Sequence, residues 1–233
     1  PRQWHLREMR VGFGMLKSAP SPLAMSYFSM LPYRLGHTNI KFGVMPCDPD
    51  VTERCEEWDP DKPRKRKDGH TLDEPDQPER TPHYLRDALV KTLTPKADDP
   101  TSDAPAARFA FRVQVQVPDA NMPIEDASIE WSQASSPYVQ VAQITIDHQR
   151  FSSELQNELC ENLSFMPWHS LPEHEPIGGL NRARKVLYPA VAKYRHEANA
   201  ALLREPTGLC LRSEGGHPEA YPCPDVVAER GRP

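Results

Sequence analysis

Hydrophobic and polar residues alternate at two places in this chain, and each place predicts a β-strand. Over 107–118, ARFAFRVQVQVP, Phe109, Phe111, Val113, Val115 and Val117 fall on one face, while Ala110, Arg112, Gln114 and Gln116 fall on the other. Over 137–147, PYVQVAQITID, Val139, Val141 and Gln143 oppose Tyr138, Gln140 and Ala142, before Ile144 and Ile146. Successive side chains of a strand point to opposite faces, so a period of two marks strands with one face on a core and one in water. Such strands are the antiparallel kind. Residues 24–45, AMSYFSMLPYRLGHTNIKFGVM, are rich in aromatic and β-branched side chains, punctuated by a proline and two glycines, and predict two further strands.

Helical spacing occurs twice. In HYLRDALVKTL at 83–93, Leu85, Ala88, Leu89 and Leu93 share a face. A longer pattern places Ala183, Val186, Leu187, Ala190, Val191, Tyr194 and Ala198 on one stripe, with Asn181 as its expected N-cap and an end near Asn199. Pro189 falls inside it and predicts a kink or a new start, because proline removes a backbone donor. Mixed strands and helices predict an α+β fold: an incomplete antiparallel β-barrel with helices packed at one side.

Composition marks off two stretches that do not read as core. Proline accounts for 26 of the 233 residues, about twice the roughly 5% of average proteins. Residues 48–82 hold 12 acidic residues, 7 basic residues and 6 prolines in 35 positions, with almost nothing aliphatic. A segment of that kind buries too little apolar surface to offset its ordering entropy, and reads as a charged, disordered-looking insertion. Its KPRKRK run is neutralised by flanking acids. Residues 205–233 form a Pro/Gly-rich tail. The domain expectation is therefore 1–204, with the insertion at 48–82, followed by the tail.

The formal net charge of −5 argues against general nucleic-acid or anionic-membrane binding, and no apolar run has the length of a membrane span. The chain begins at Pro1 without a signal-peptide pattern, which predicts a cytoplasmic protein shortened at its N-terminus. Five cysteines, Cys47, Cys55, Cys160, Cys210 and Cys223, are odd in number and irregular in spacing, and read as free thiols rather than a disulfide framework or a zinc site.

The chemistry lies on the long helical pattern. Arg184, Tyr188 and Arg195 stand at i, i+4 and i+11, which brings all three onto one stripe at about 100° per residue. A guanidinium beside a phenol favours the phenolate, a hard anionic ligand for ferric iron, and tyrosinate is a known proximal haem ligand. A further arginine two turns on suits a propionate. On spacing alone, a solvated face is the commoner explanation. His169 and His174, with Glu173 between them, do not make a zinc helix, because Pro172 intervenes and the spacing is five. The basic residues Arg182, Arg184, Lys185, Lys193 and Arg195 are spread around the helix, unlike a nucleic-acid face.

The run ENLSFMPWHSLPEHEPIGGLNRAR at 161–184 closely resembles the haem-proximal segment of catalase-related haem peroxidases, the small bacterial members of the catalase superfamily. Upstream, Tyr27-Phe28-Ser29-Met30 and Pro32-Tyr33-Arg34-Leu35-Gly36 resemble the family's first strands, and Tyr84–Leu89 resembles the short helix that follows. Met166 stands where the signature usually has Asn, and Glu175 where it has a basic residue.

The resemblance implies a haem-dependent oxidoreductase with haem b as cofactor, using hydrogen peroxide or an organic peroxide, with a small organic electron donor and a homo-oligomeric state as further expectations. Carried over position by position, Tyr188 is the iron ligand, Arg184 supports its phenolate, Arg195 contacts a propionate and Phe165 lines the haem site. No residue matches the family's distal His/Asn motif, and His5, in QWHLREM, stands in an unlike context. The chain thus resembles the C-terminal two-thirds of a catalase-like protein. The alternative implied is a haem-binding but catalytically incompetent fragment.

Overall fold

A computed structural model of the protein describes residues 21–47, 55, 81–95, 105–200, 209–214 and 217–222. The charged insertion read at 48–82 lies outside the described residues, apart from Cys55, Thr81 and Pro82. Its main sheet is antiparallel throughout. Strand β1 (Tyr27–Phe28) and strand β2 (Tyr33–Leu35) both pair with β3 (Thr38–Pro46), which pairs with β4 (Ala107–Val115), which pairs with β5 (Val139–Ile146). The sheet remains open, with β5 at its edge. Helix α1 (Tyr84–Leu93) precedes β4; α2 (Glu154–Asn162) and α3 (Gly179–Ala198) follow β5. The architecture is α+β, as the alternating and helical patterns predict. Within the Pro/Gly-rich C-terminal stretch, β6 (Leu209–Glu214) and β7 (His217–Pro222) pair as a hairpin.

The region 24–45 holds three strands rather than the two expected. Ser29 explains the division: its hydroxyl donates to the Leu31 carbonyl at 2.9 Å and accepts from the Phe42 N–H at 3.1 Å, closing a turn between β1 and β2. Gly36, at φ 60, then turns β2 back into β3.

The central strand β4 departs from the one-wet-face expectation. Register places Ile40, Phe42, Val44 and Pro46 opposite Val115, Val113, Phe111 and Phe109, and Phe42 stacks on Phe111 with ring centres 5.4 Å apart. The other face carries Lys41, Gly43 and Met45 against Gln114, Arg112 and Ala110, and it is buried as well. Residues 116–137 fold over it. Trp131 is fully enclosed, Lys41 Nζ lies 5.0 Å from the centre of its ring, and Gln114 Nε2 donates to the carbonyls of Trp131 and Ser136 at 2.9 Å each. Gln114 is 2% exposed because its amide satisfies two loop carbonyls that water would otherwise solvate. Burial pushes the Lys41 ammonium below its ordinary pKa, with Glu130 opposing the shift.

Two more expectations need correction. Cys47 and Cys55 form a disulfide, with Cα atoms 4.8 Å apart, against the buried Ala110 at the end of β3, whereas Cys160 is a free, exposed thiol. Odd numbers and irregular spacing do not report proximity. Helix α2 has no counterpart among the sequence expectations, although Ser153 and Gln156 form a capping box at its start.

Candidate functional site

Helix α3 is held to the sheet at its first turn. Arg34 N–H donates to the Glu175 carbonyl and Gly36 N–H to the Glu173 carbonyl, each at 2.9 Å, and Pro176 forms a single antiparallel bridge with Tyr33, so this segment is tied along β2. Arg34 Nε also pairs with Glu175 Oε1 at 2.9 Å. Glu175, where the resembled signature carries a basic residue, therefore has a partner on β2. Asn181, expected as the N-cap, lies inside the helix and is wholly buried, donating to the carbonyls of Pro32 and Ile177. The cap position is Gly178, at φ 92 and without a side-chain bond. The role falls to Glu125, which accepts from Gly179 N–H at 2.7 Å and from both terminal nitrogens of Arg182. Those bonds, the Arg182 contact foremost, hold the Glu125 carboxyl below its ordinary pKa.

Pro189 does not restart α3, which runs unbroken from Gly179 to Ala198. Both Pro189 and Lys185, four residues back, are exposed, so water reaches the carbonyl that the missing N–H leaves unpaired. The apolar stripe of α3 also lies in solvent rather than in a core: Val186, Leu187, Val191 and Tyr194 are all exposed.

Beside that stripe opens a cavity of about 700 Å³, between α3 and the segment from Leu163 to His169. The segment is folded back on the helix by two contacts: Trp168 Nε1 donates to the Asn181 carbonyl at 3.0 Å, and Arg195 Nη2 donates to the Leu163 carbonyl. Lys185 Nζ caps the Trp168 ring at 4.2 Å. Leu163, Phe165, Met166, Leu187, Val191 and Ala192 make apolar walls. The polar groups are Tyr188, Arg195, Lys193, His169, His196 and Ser164. Among the described residues that line it, none is acidic. This donor set suits an apolar ligand that carries negative charge.

Of the four residues singled out from sequence, Tyr188, Arg195 and Phe165 line this cavity, and Tyr188 is 40% exposed. Arg184 does not line it. Its Cζ stands 5.9 Å from the centre of the Tyr188 ring, and its Nη1 lies 3.4 Å from Asn181 Oδ1. Two further residues went unassigned in the sequence. Tyr33, on β2, has its hydroxyl pKa raised above the ordinary value by burial; Arg184 opposes this by charge and hydrogen bonding, while Tyr188 adds to it. A phenol from the sheet therefore shares the Arg184 guanidinium. The other is His196, buried in the cavity wall eight residues after Tyr188, a spacing that carries no signal by itself. His169 lines the cavity and His174 does not; among the described residues no group of three or more His, Cys, Asp or Glu side chains converges on a metal site.

Comparison with known proteins agrees with the fold. No protein-family model matches the chain, and no curated protein matches it by sequence. Among solved structures it is similar to a fungal catalase, with a TM-score of 0.53 and 15% identity over 78% of this chain and 33% of that one. It is equally similar to catalase A from Saccharomyces cerevisiae, with a TM-score of 0.53 and 14% identity over 81% of this chain and 37% of that one. The fold is catalase-like, and the chain spans little more than a third of the length of these catalases.

Proposed function

We propose that this protein is a haem-dependent oxidoreductase of the catalase superfamily, of the small catalase-related peroxidase type, which decomposes or uses hydrogen peroxide or an organic peroxide. The observation that carries this reading is the meeting of Tyr188 and Arg195 in one cavity, with the Arg184 cation against the Tyr188 ring. The reading takes 1–204 as the haem domain of a cytoplasmic protein.

The residues present fit haem b. A phenol is the type of side chain that ligates ferric iron as its anion, the apolar walls accept a porphyrin face, and the basic rim accepts propionates. Bound there, the haem supplies the redox chemistry, while the chain supplies ligand, orientation and field. Tyr188 is the ligand. Arg184, outside the cavity, places its cation against the Tyr188 ring. Arg195 spans the site: one nitrogen ties the Leu163 carbonyl and so holds the wall, and the remaining guanidinium donors are available to a carboxylate. Leu187 and Val191, both exposed on the helix, gain a partner when a porphyrin covers them.

Titration with hemin and an absorption spectrum test the reading. The wild-type chain is expected to bind and show ferric–tyrosinate bands, and Tyr188→Phe to lose them. Unchanged binding and bands in Tyr188→Phe overturn the ligand assignment. Oxygen evolution from hydrogen peroxide by the loaded protein then separates turnover from binding alone.

A further inference from the structure

Among the described residues, none offers a hydrogen bond to the ring nitrogen Nε2 of His196. Its side chain is 3% exposed, and its Nε2 is buried without a hydrogen-bond partner. Buried ring nitrogens are normally paired, since a bare polar atom forfeits its bond to water and receives nothing in return. The same residue lines the Tyr188 cavity. A ligand seated there that reaches the ring nitrogen supplies the partner it lacks.

The surroundings define what that ligand offers. The neighbouring polar groups in the wall are Arg195, Lys193, His169, Tyr188 and Ser164, and among the described residues that line it none is acidic. A positively biased lining selects an acceptor, and an anionic one above a neutral one. Two of the cations are already engaged: Arg195 Nη2 donates to the Leu163 carbonyl, and Lys193 Nζ lies 3.8 Å from Glu197 Oε1. The imidazole nitrogen has no such commitment.

We infer that His196 is a carboxylate anchor of this cavity, with its Nε2–H donating to an acid group of the bound ligand. The inference rests on the haem reading above, on which the acid group is a porphyrin propionate. His196 then acts beside Arg195 rather than duplicating it. The arginine keeps the wall closed and adds charge, and the histidine supplies a donor already desolvated and fixed, so little rotamer freedom is lost on binding.

The test compares hemin with hemin dimethyl ester, in which both carboxylates are capped, on wild type, His196→Leu and His196→Gln. His196→Leu is expected to weaken hemin roughly tenfold or more, the scale of one hydrogen bond to a charged group, and to leave affinity for the ester unchanged. His196→Gln, which keeps a nitrogen donor, is expected to recover most of the loss. Equal losses for hemin and ester, or no loss with hemin, overturn the inference.

A second measurement needs no variant. With ring-labelled histidine, zinc protoporphyrin is expected to shift the buried Nε2–H resonance of the wild-type chain, and its dimethyl ester to leave it in place. The same response to both overturns the inference. If hemin binds, Tyr188→Phe loses the tyrosinate bands and His196 responds to neither probe, the anchor alone fails; if wild type does not bind hemin, both readings fail.

Discussion

Asn181 Nδ2 donates to the Pro32 carbonyl at 3.0 Å, joining helix α3 to the sheet across 149 positions of sequence. Its second proton goes to the Ile177 carbonyl at 2.9 Å, and its Oδ1 faces Arg184 Nη1 at 3.4 Å. One enclosed amide thus orients both the helix that carries Tyr188 and the guanidinium beside it.

Asn181→Leu keeps much of the volume but takes the side-chain donor from the Ile177 carbonyl and leaves the Pro32 carbonyl with the Ile177 N–H alone. The expected loss is about 2–4 kcal/mol of folding stability, read from urea unfolding. Hemin affinity is expected to fall with it, because the helix loses its seat. A variant as stable as wild type would sink this account of how α3 is docked.

Gly178 sets the entry angle of α3. At φ 92 an added Cβ would lie 2.8 Å from the Ile124 carbonyl oxygen, so Gly178→Ala meets both backbone strain and a backbone clash. A cost of about 2 kcal/mol or more is expected from thermal unfolding. A neutral result would mean the turn can rearrange.

Glu125 predicts a pH dependence. Its folded carboxyl titrates below the ordinary value of 4.5, chiefly through Arg182 and then through Gly179. A depressed carboxyl pKa contributes stability that is present above the unfolded value and lost as pH falls through the folded one. Between about pH 4.5 and the folded pKa, wild type is therefore expected to lose stability faster than Glu125→Gln. Parallel curves in a pH series of melts would remove the carboxylate from the helix cap.

Arg195 and Arg184 are expected to differ. Arg195→Ala releases the Leu163 carbonyl, so amide exchange over 163–169 should quicken while hemin affinity drops by about 1–3 kcal/mol. Arg184→Ala, outside the cavity, should leave that exchange unchanged and alter the tyrosinate bands instead. Identical behaviour in both assays would reduce the arginine stripe to a solvated face.

Gln114→Leu tests the sheet. It removes the donor to Trp131 and Ser136 carbonyls on the covered face of β4, with an expected cost of about 2 kcal/mol by urea unfolding. Stability equal to wild type would show that those carbonyls find water.

Much of this protein was legible along the chain. Period-two alternation marked β4 and β5, because a strand's side-chain geometry is local and writes itself into consecutive residues. Helical spacing marked α1 and α3 for the same reason, and the order and type of these elements already implied an α+β fold. Tyr188, Arg184 and Arg195 were visible as a stripe, since one helix fixes their relation without help from any other element.

Only the tertiary structure decided what each face meets. Gln114 and Arg112 read as wet positions, yet residues 116–137 return over them, and polarity does not reveal a loop that brings its own carbonyls to be satisfied. The α3 stripe is legible as an apolar face, yet the pattern does not say what it meets: its large side chains lie exposed, with Leu187 and Val191 at a cavity, because the same pattern serves a packed neighbour and a ligand wall equally well. Asn181 read as a cap and became a dock. Cys47 and Cys55 read as free thiols and are paired. His196 and Tyr33 join the site through contacts between distant segments. Local sequence carries periodicity and conformational preference; which surfaces touch is settled by long-range packing, which no single segment encodes.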